Sequence, residues 1–302
     1  MEQRNAYASS FSAVIFATDF SPGSRIAGKY AALLSQHYHC KLVVLHAFSL
    51  ERPAAEAESL GHKASLQREQ VEAELSEVVK ELHFGERVQP VLTQGAPLDA
   101  VRRASEQHGP AMVVLSTHGG STFKRHFIGS VAEGIVRTIH DPVLTVGPHV
   151  PAPPPDRLEL KRVLFATDFS VAATDAANYA FAIAGSFSSA IDVLHVVSRD
   201  DVSKPELLAT MHQNLVGASG AQPEVSSEMF VESGEARDRI LEHARDRSVD
   251  LIVLGAHHHS HLARHIRTGP AFRIIAEATC PVLTICPSHP SLDRSERGDQ
   301  DS

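Results

Sequence analysis

The chain has no tryptophan, four tyrosines and only three cysteines in 302 residues. Cys40, Cys280 and Cys286 are too few and too scattered for a disulfide framework or a cysteine-rich zinc site, so buried thiols in a reducing compartment are expected. No window reaches the ~18–20 uninterrupted apolar residues of a membrane helix. The opening MEQRNAYASSFSAVIFATDFS has no charged segment followed by an apolar core and a small-residue cleavage site, and Asp19 breaks its one apolar stretch. A signal peptide is therefore not expected. Positive charge is not in excess. The net charge is −8, with 14 Lys and Arg against 15 Asp and Glu in residues 1–150, and 14 against 21 in the rest. Binding to nucleic acid or to an anionic membrane lacks its electrostatic driver, and a cytoplasmic protein is expected.

Several chemical signatures are missing as well. There is no Gly-x-x-x-x-Gly-Lys-Ser/Thr loop, no Gly-x-Gly-x-x-Gly turn and no Gly-x-Ser-x-Gly elbow. No histidine and carboxylate stand fixed beside a nucleophile. What is present is a folded composition, 43% hydrophobic and 21% charged, which excludes disorder over most of the length.

The chain also repeats itself. VIFATDFS at residues 14–21 returns as VLFATDFS at 163–170, an offset of 149 that Leu45-His46 and Leu194-His195 share. PVLT at 142–145 returns at 281–284, an offset of 139 shared by Gly95 and Gly234. The second copy has therefore lost about ten residues between Leu194-His195 and Gly234. Between the copies, PHVPAPPPDRLE at 148–159 carries prolines that favour extended backbone and mark a linker. From Pro287 onward the sequence is polar, charged and aperiodic, and a frayed tail is expected. The predicted organisation is a first domain at 1–147, a linker at 148–159, a second domain at 160–286 and a tail at 287–302.

Within a copy, short apolar runs alternate with longer amphipathic stretches. The first copy predicts strands at 13–18, 41–48, 87–93, 111–116 and 142–146, with helices at 22–37, 56–84, 97–107 and 129–139. Ser21 and Pro22 supply a cap and a first helical residue. In the second copy the shortening falls on the second helix, where Leu207, Met211 and Leu215 give fewer turns. Near-continuous apolar strands joined by helices imply a parallel sheet covered on both faces, hence two tandem doubly wound, Rossmann-like α/β domains of five parallel strands each. Ligands of such sheets bind beyond the carboxyl ends of the strands.

That rule points to four places in the first copy. Asp19 and its counterpart Asp168 follow the first strand; such a carboxylate either accepts from a ligand or caps the next turn. Ser116-Thr-His-Gly-Gly ends the fourth strand, and Gly129-Ser130 opens the fourth helix, whose free N–H groups and positive dipole end suit a phosphate. Lys124, Arg125 and His126 in the intervening loop supply positive charge. His46 and His195 end the second strand and are expected to be satisfied, partly buried side chains.

These residues carry a resemblance to the universal stress protein family, covering about 11–147 and 160–286. Its nucleotide-binding members show Gly, two residues, Gly, nine residues, Gly, then Ser or Thr. Ser116, Gly119, Gly129 and Ser130 occupy those places, with serine replacing the first glycine. The resemblance implies ATP or AMP as ligand, with Mg²⁺ as a candidate companion. It implies that Asp19 and the backbone at Ala47 meet the adenine and its neighbourhood, and that Gly119, Gly129, Ser130 and Val131 surround ribose and phosphates.

In the second copy Gly255 fits the first place, His258 stands where the second glycine belongs, and Thr268-Gly269 replaces Gly129-Ser130. Asp168 and Val196 remain, so a weak, altered or dead site is expected there. The same loop holds His257, His258, His259, His261 and His265, which suits either metal binding, a pH response or a solvated loop. In this family single domains dimerise through the last strand, so PVLTV and PVLTI are expected to pair within the chain as a pseudo-twofold dimer, with further homo-oligomers open. The reading is a nucleotide-binding stress-response regulator, at most a slow ATP hydrolase. The alternatives are a nucleotide-independent scaffold for a protein partner, or a metal- or pH-responsive regulator using residues 257–265.

Overall fold

The computed structural model describes residues 11–48, 57–82, 87–117, 128–197, 208–209, 213, 225–256 and 270–286. The first half runs β1 (Ala13–Ala17), α1 (Pro22–His37), β2 (Lys41–Phe48), α2 (Ala57–Glu81), β3 (Val88–Gln94), α3 (Pro97–His108), β4 (Ala111–Ser116), α4 (Ser130–Thr138) and β5 (Val143–Val146). The second runs β6 (Arg162–Thr167), α5 (Val171–Phe187), β7 (Ala190–Val197), β8 (Ser227–Ser233), α6 (Ala236–Asp246), β9 (Leu251–Gly255), α7 (Pro270–Glu277) and β10 (Val282–Ile285). Each predicted strand and helix of the first half forms, with ends moved by a few residues. Leu207, Met211 and Leu215, read as a shortened second helix, lie outside the described residues.

All the strands join one ten-stranded sheet in the order β3-β2-β1-β4-β5-β10-β9-β6-β7-β8. Pairing is parallel within each half and antiparallel at the seam between β5 and β10. Each half is thus a doubly wound five-stranded unit, and the halves form the expected intramolecular pseudo-dimer. At the seam Leu144 faces Leu283, Thr145 faces Val282 and Val143 faces Thr284. The Thr145 hydroxyl donates to the Val282 carbonyl at 3.0 Å, and the Thr284 hydroxyl donates to the Val143 carbonyl at 3.2 Å. The repeated threonine therefore buries a hydroxyl with its partner supplied by the other copy.

Two cores lie against this sheet, and residues of both halves enter each. One contains Val14, Phe16 and Phe165 under α1 and α5; the other contains Ile15, Val113 and Leu164 under α3, α4, α6 and α7. Alternating residues of one strand go to opposite cores, which is why the inner strands read as unbroken apolar runs. The outer strands β3 and β8 are less buried, and Pro90 removes a donor from the β3 edge. The halves are also clasped by α1 and α5: the His37 ring stacks on Phe187 at 3.7 Å and the Tyr38 hydroxyl meets Ser186 Oγ at 3.2 Å. The proline-rich segment crosses between the halves and buries Val150 and Leu158 in the first core. Among the described residues no helix is long and apolar enough to cross a membrane.

The copies differ sharply at one core position. Val43 of β2 corresponds to Asp192 of β7, a fully buried carboxylate. Asp192 accepts from Arg162 Nη1 at 2.7 Å, from Arg247 Nε at 2.8 Å and from His243 Nε2 at 3.3 Å. His243 Nδ1 lies 2.9 Å from Glu232 and Arg247 Nη2 lies 2.6 Å from Glu228. Both ring nitrogens of His243 thus face carboxylates, an arrangement that satisfies the imidazolium. Burial by itself raises the Asp192 pKa, but hydrogen bonds from His243, Arg247 and Arg162 outweigh it and hold the carboxyl below its ordinary value. Burial by itself lowers the His243 pKa, but the bonds to Asp192 and Glu232 outweigh it and raise it.

Two outcomes follow from this cluster. Asp192→Ala leaves three cationic groups facing one another and should cost about 3–5 kcal/mol by denaturant unfolding. The His243 contribution should be complete below its unfolded pKa of about 6.5 and vanish as pH rises through its raised folded value. The Asp192 contribution should be complete above an unfolded pKa of about 3.9 and vanish as pH falls through its lowered folded value. In urea midpoints measured against pH, His243→Gln should remove most of the alkaline decline; a parallel alkaline limb in the variant would refute the assignment.

Candidate functional site

The carboxyl ends of β1, β2 and β4 and the start of α4 enclose a cleft of about 330 Å³ in the first half. Its construction begins in the turn Thr18-Asp19-Phe20-Ser21. Asp19 Oδ1 accepts from the Ser21 N–H at 3.1 Å and from the Ser21 hydroxyl at 2.6 Å. Ser21 Oγ in turn accepts from the Ser24 N–H at 3.2 Å and caps α1, with Pro22 in its first turn. Phe20 sits at φ +64°, costly for a bulky residue, and its N–H donates to Thr18 Oγ1 at 3.1 Å. The strained turn lays the Phe20 ring on His46, with centroids 4.1 Å apart. His46 Nδ1 donates to the Thr18 carbonyl at 2.8 Å, which fixes the ring tautomer.

The second half repeats the turn closely. Phe169 has φ +61°, Asp168 Oδ1 accepts from the Ser170 N–H at 3.0 Å, and His195 Nδ1 donates to the Thr167 carbonyl at 2.8 Å. The sequence leaves the Asp in ATDFS either as ligand group or as turn residue. Asp19 does organise the turn through one oxygen, and its exposed carboxylate also lines the cleft.

Of the other predicted residues, Ala47, Ser116, Gly129, Ser130 and Val131 line the same cleft. Gly119, Lys124, Arg125 and His126 lie outside the described residues, as do the histidines at 257–265, Thr268 and Gly269. Leu45, Val101, Leu115 and Ile135 give the cleft an apolar wall, while Val131 is 46% exposed at its mouth. Asp19 is the one carboxylate among the described lining residues.

The α4 start differs from expectation in one respect. The Gly129 N–H donates to the Thr117 carbonyl at 2.8 Å and pinches the base of the loop, so it is not a free donor for a phosphate. The first helical bond of α4 runs from the Glu133 N–H to the Gly129 carbonyl at 2.9 Å. The N–H groups of Ser130, Val131 and Ala132 therefore lie outside the helical ladder, and Gly129 as N-cap makes no side-chain capping bond. By contrast α1 is closed by its own serine. The cleft thus presents a helix start without a capping side chain among the described residues, a carboxylate, a fixed histidine and an apolar wall.

Ser116 fits without strain. It continues β4 in parallel register with Val146, and its φ is not positive. Its counterpart Gly255 is differently placed: a Cβ there would lie 2.6 Å from the Ala172 carbonyl carbon and the Ala173 nitrogen. In the second half the first turn of α5 presses on β9, and glycine is required for space.

Sequence reasoning missed Pro97 and Val101, reached Thr117 only as part of the stretch after β4, and took His46 as a rim residue without its Phe20 partner. The recurrence of ATDFS with Leu-His in both copies was the available signal for that pair. Thr117 acts through its carbonyl, for which no side-chain signal exists.

The profile of the universal stress protein family matches residues 10–147 and 159–285. A universal stress protein of Synechocystis sp. is 26% identical over 177 residues, covering 57% of this chain and 57% of that protein. The chain thus spans little more than half the length of that relative. A universal stress protein of Methanocaldococcus jannaschii is 22% identical over 156 residues, which cover 44% of this chain and 93% of that one. Among solved structures, a universal stress protein from Archaeoglobus fulgidus superposes with a TM-score of 0.69 at 22% identity, over 91% of this chain and 96% of that one.

The contrast between Ser116 and Gly255 is open to a reciprocal exchange. Ser116→Gly should change stability by no more than about 1 kcal/mol, the cost of added backbone freedom. Gly255→Ser must displace helix backbone and should cost about 1–3 kcal/mol or more. Denaturant midpoints of the two variants check this, and equal effects would contradict the crowding at β9.

Proposed function

The chain belongs to the universal stress protein family in both halves, and on that premise we propose that its first half binds an adenine nucleotide, ATP or AMP. It acts in this reading as a stress-response regulator through binding rather than turnover. The observation that carries the reading is the start of α4 inside the cleft, which has no capping side chain among the described residues. Three N–H groups that stand ahead of the helical ladder and the positive end of the helix dipole suit a phosphate. Ser130 adds a hydroxyl donor, and Gly119 belongs to the same phosphate-binding set. The apolar wall of Leu45, Val101, Leu115 and Ile135 suits a purine, and the Asp19 carboxylate suits an amine or ribose hydroxyl. The backbone at Ala47 completes the adenine end. The cleft volume of about 330 Å³ lies at the lower end of the range for small-molecule sites. A Mg²⁺ accompanying the nucleotide would rest mainly on phosphate oxygens and water, since Asp19 is held by Ser21.

The second half is read as the lesser site. His258 stands where the phosphate-binding pattern has its second glycine, and a histidine lacks the glycine's freedom to let backbone approach a phosphate. Asp168 and Val196 retain an adenine-sized setting without that phosphate loop.

Denaturing the purified protein and identifying the released nucleotide by chromatography and mass should give about one ATP or AMP per chain. The double variant Gly129→Val, Ser130→Val should lose it while keeping its far-ultraviolet circular dichroism. Val131→Asp places a negative charge at the helix start and should weaken ATP about tenfold or more in calorimetry. If no nucleotide co-purifies and none binds on titration, the nucleotide reading fails and a scaffold for a protein partner takes its place.

A further inference from the structure

A larger cavity, of about 890 Å³, lies at the amino ends of β4 and β5, where the first half meets the carboxyl end of β10. Phe11, His140 and Asp141 of the first half face Asp175, Tyr179 and Cys286 of the second across it. The pseudo-twofold relation gives this cavity a counterpart. At the offsets of 149 and 139 residues, Tyr179 corresponds to Tyr30, Asp175 to Ile26, Asp141 to Cys280 and Cys286 to Gly147. Two contacts verify the correspondence: Cys286 Sγ donates to the Val136 carbonyl at 3.1 Å, and a Cβ on Gly147 would lie 2.8 Å from the carbonyl of Ile275, the counterpart of Val136.

The counterpart groove is filled by the chain that leaves β5. Val150 is 3% exposed, with its Cγ2 3.9 Å from the Cβ position of Gly147. The Tyr30 hydroxyl donates to the Pro151 carbonyl at 3.2 Å, and Leu158 is buried in the same core. In the open cavity the Tyr179 hydroxyl has no hydrogen-bond partner among the described residues. Burial, with the Asp141 and Asp175 carboxylates beside it, pushes its pKa up to about 12.

The sequence after Cys286 repeats the sequence after Gly147. Pro287 and Pro290 take the places of Pro148 and Pro151, and His289 takes the place of Val150. The exchange is complementary. By position, Ile26 and Cys280 stand where the open cavity has Asp175 and Asp141, and Val150 stands where the tail has His289. Residues 287–302 lie outside the described residues. We propose that this cavity is the docking groove for the chain's own segment beginning at Pro287, which enters it as Pro148–Pro151 enters the counterpart. The Pro290 carbonyl then accepts from the Tyr179 hydroxyl, and the His289 imidazole lies against Asp141 and Asp175.

Fluorine NMR of the full chain labelled with 3-fluorotyrosine tests this, because the protein has four tyrosines and Tyr179→Phe identifies the resonance. Ending the chain after Cys286 should shift the Tyr179 resonance, and a peptide of residues 287–302 added in excess should restore it. Asp175→Lys in the shortened chain should abolish the restoration. Removing residues 1–10, which end beside Phe11, should leave the resonance in place. A Tyr179 resonance unchanged by the C-terminal truncation overturns the proposal. So does one that moves with removal of residues 1–10 instead, or with protein concentration, the sign of a second copy in the groove. The readout is independent of nucleotide, whose content in the shortened chain should be unchanged.

Discussion

The reciprocal bonding of two threonines at the seam is the constraint on which the architecture turns. β5 and β10 would each be the exposed edge of an open sheet, four residues long and apolar. Pairing them satisfies backbone groups and also buries Thr145 and Thr284, each with an acceptor on the opposite strand. Antiparallel pairing of two nearly identical segments, VLTV and VLTI, imposes a twofold relation on everything attached to them. The two cores become continuous across the seam, α1 and α5 meet through His37 and Phe187, and one half's strand starts come to lie beside the other half's last strand end.

The cleft depends on that frame less directly. Its floor is the strained turn that brings Phe20 onto His46, and its upper rim is the start of α4, placed by the bond from Gly129 to Thr117. Thr117 in turn donates to the Val146 carbonyl at 3.2 Å, at the end of the seam strand. A short chain of hydrogen bonds therefore connects the open helix start to the junction of the halves. The second half keeps the turn, but at Gly255 the backbone of α5 leaves no room for the side chain that Ser116 carries at the equivalent place in β4.

Much of this was legible in the sequence because it depends on local rules. The apolar runs specify strands covered on both faces, Ser21-Pro22 specifies a helix start, and the recurrence of ATDFS and PVLT specifies a duplicated unit joined through its last strand. Ser116, Gly129 and Ser130 come together in one cleft because strand ends and helix starts in this fold converge there. What remained hidden depends on distance across the fold. The Gly129 N–H is taken by a carbonyl twelve positions earlier in the chain, which no pattern of side chains announces. Asp192 reads as an interruption of an apolar strand until Arg162, His243 and Arg247 surround it. Ser116 reads as a defect in a glycine pattern until its backbone proves to be ordinary strand.

Joining the copies in one chain has a consequence for symmetry itself. In a dimer of separate identical subunits, every residue near the axis appears twice, so any substitution must suit both sites at once. Here the two sites are chemically distinct. Cys286 fills its pocket with a thiol aimed at the Val136 carbonyl, while its counterpart Gly147 leaves room for the Ile275 carbonyl to approach. The fused chain is thus free to specialise one side of its axis without disturbing the other, a heterodimer made from a single gene product.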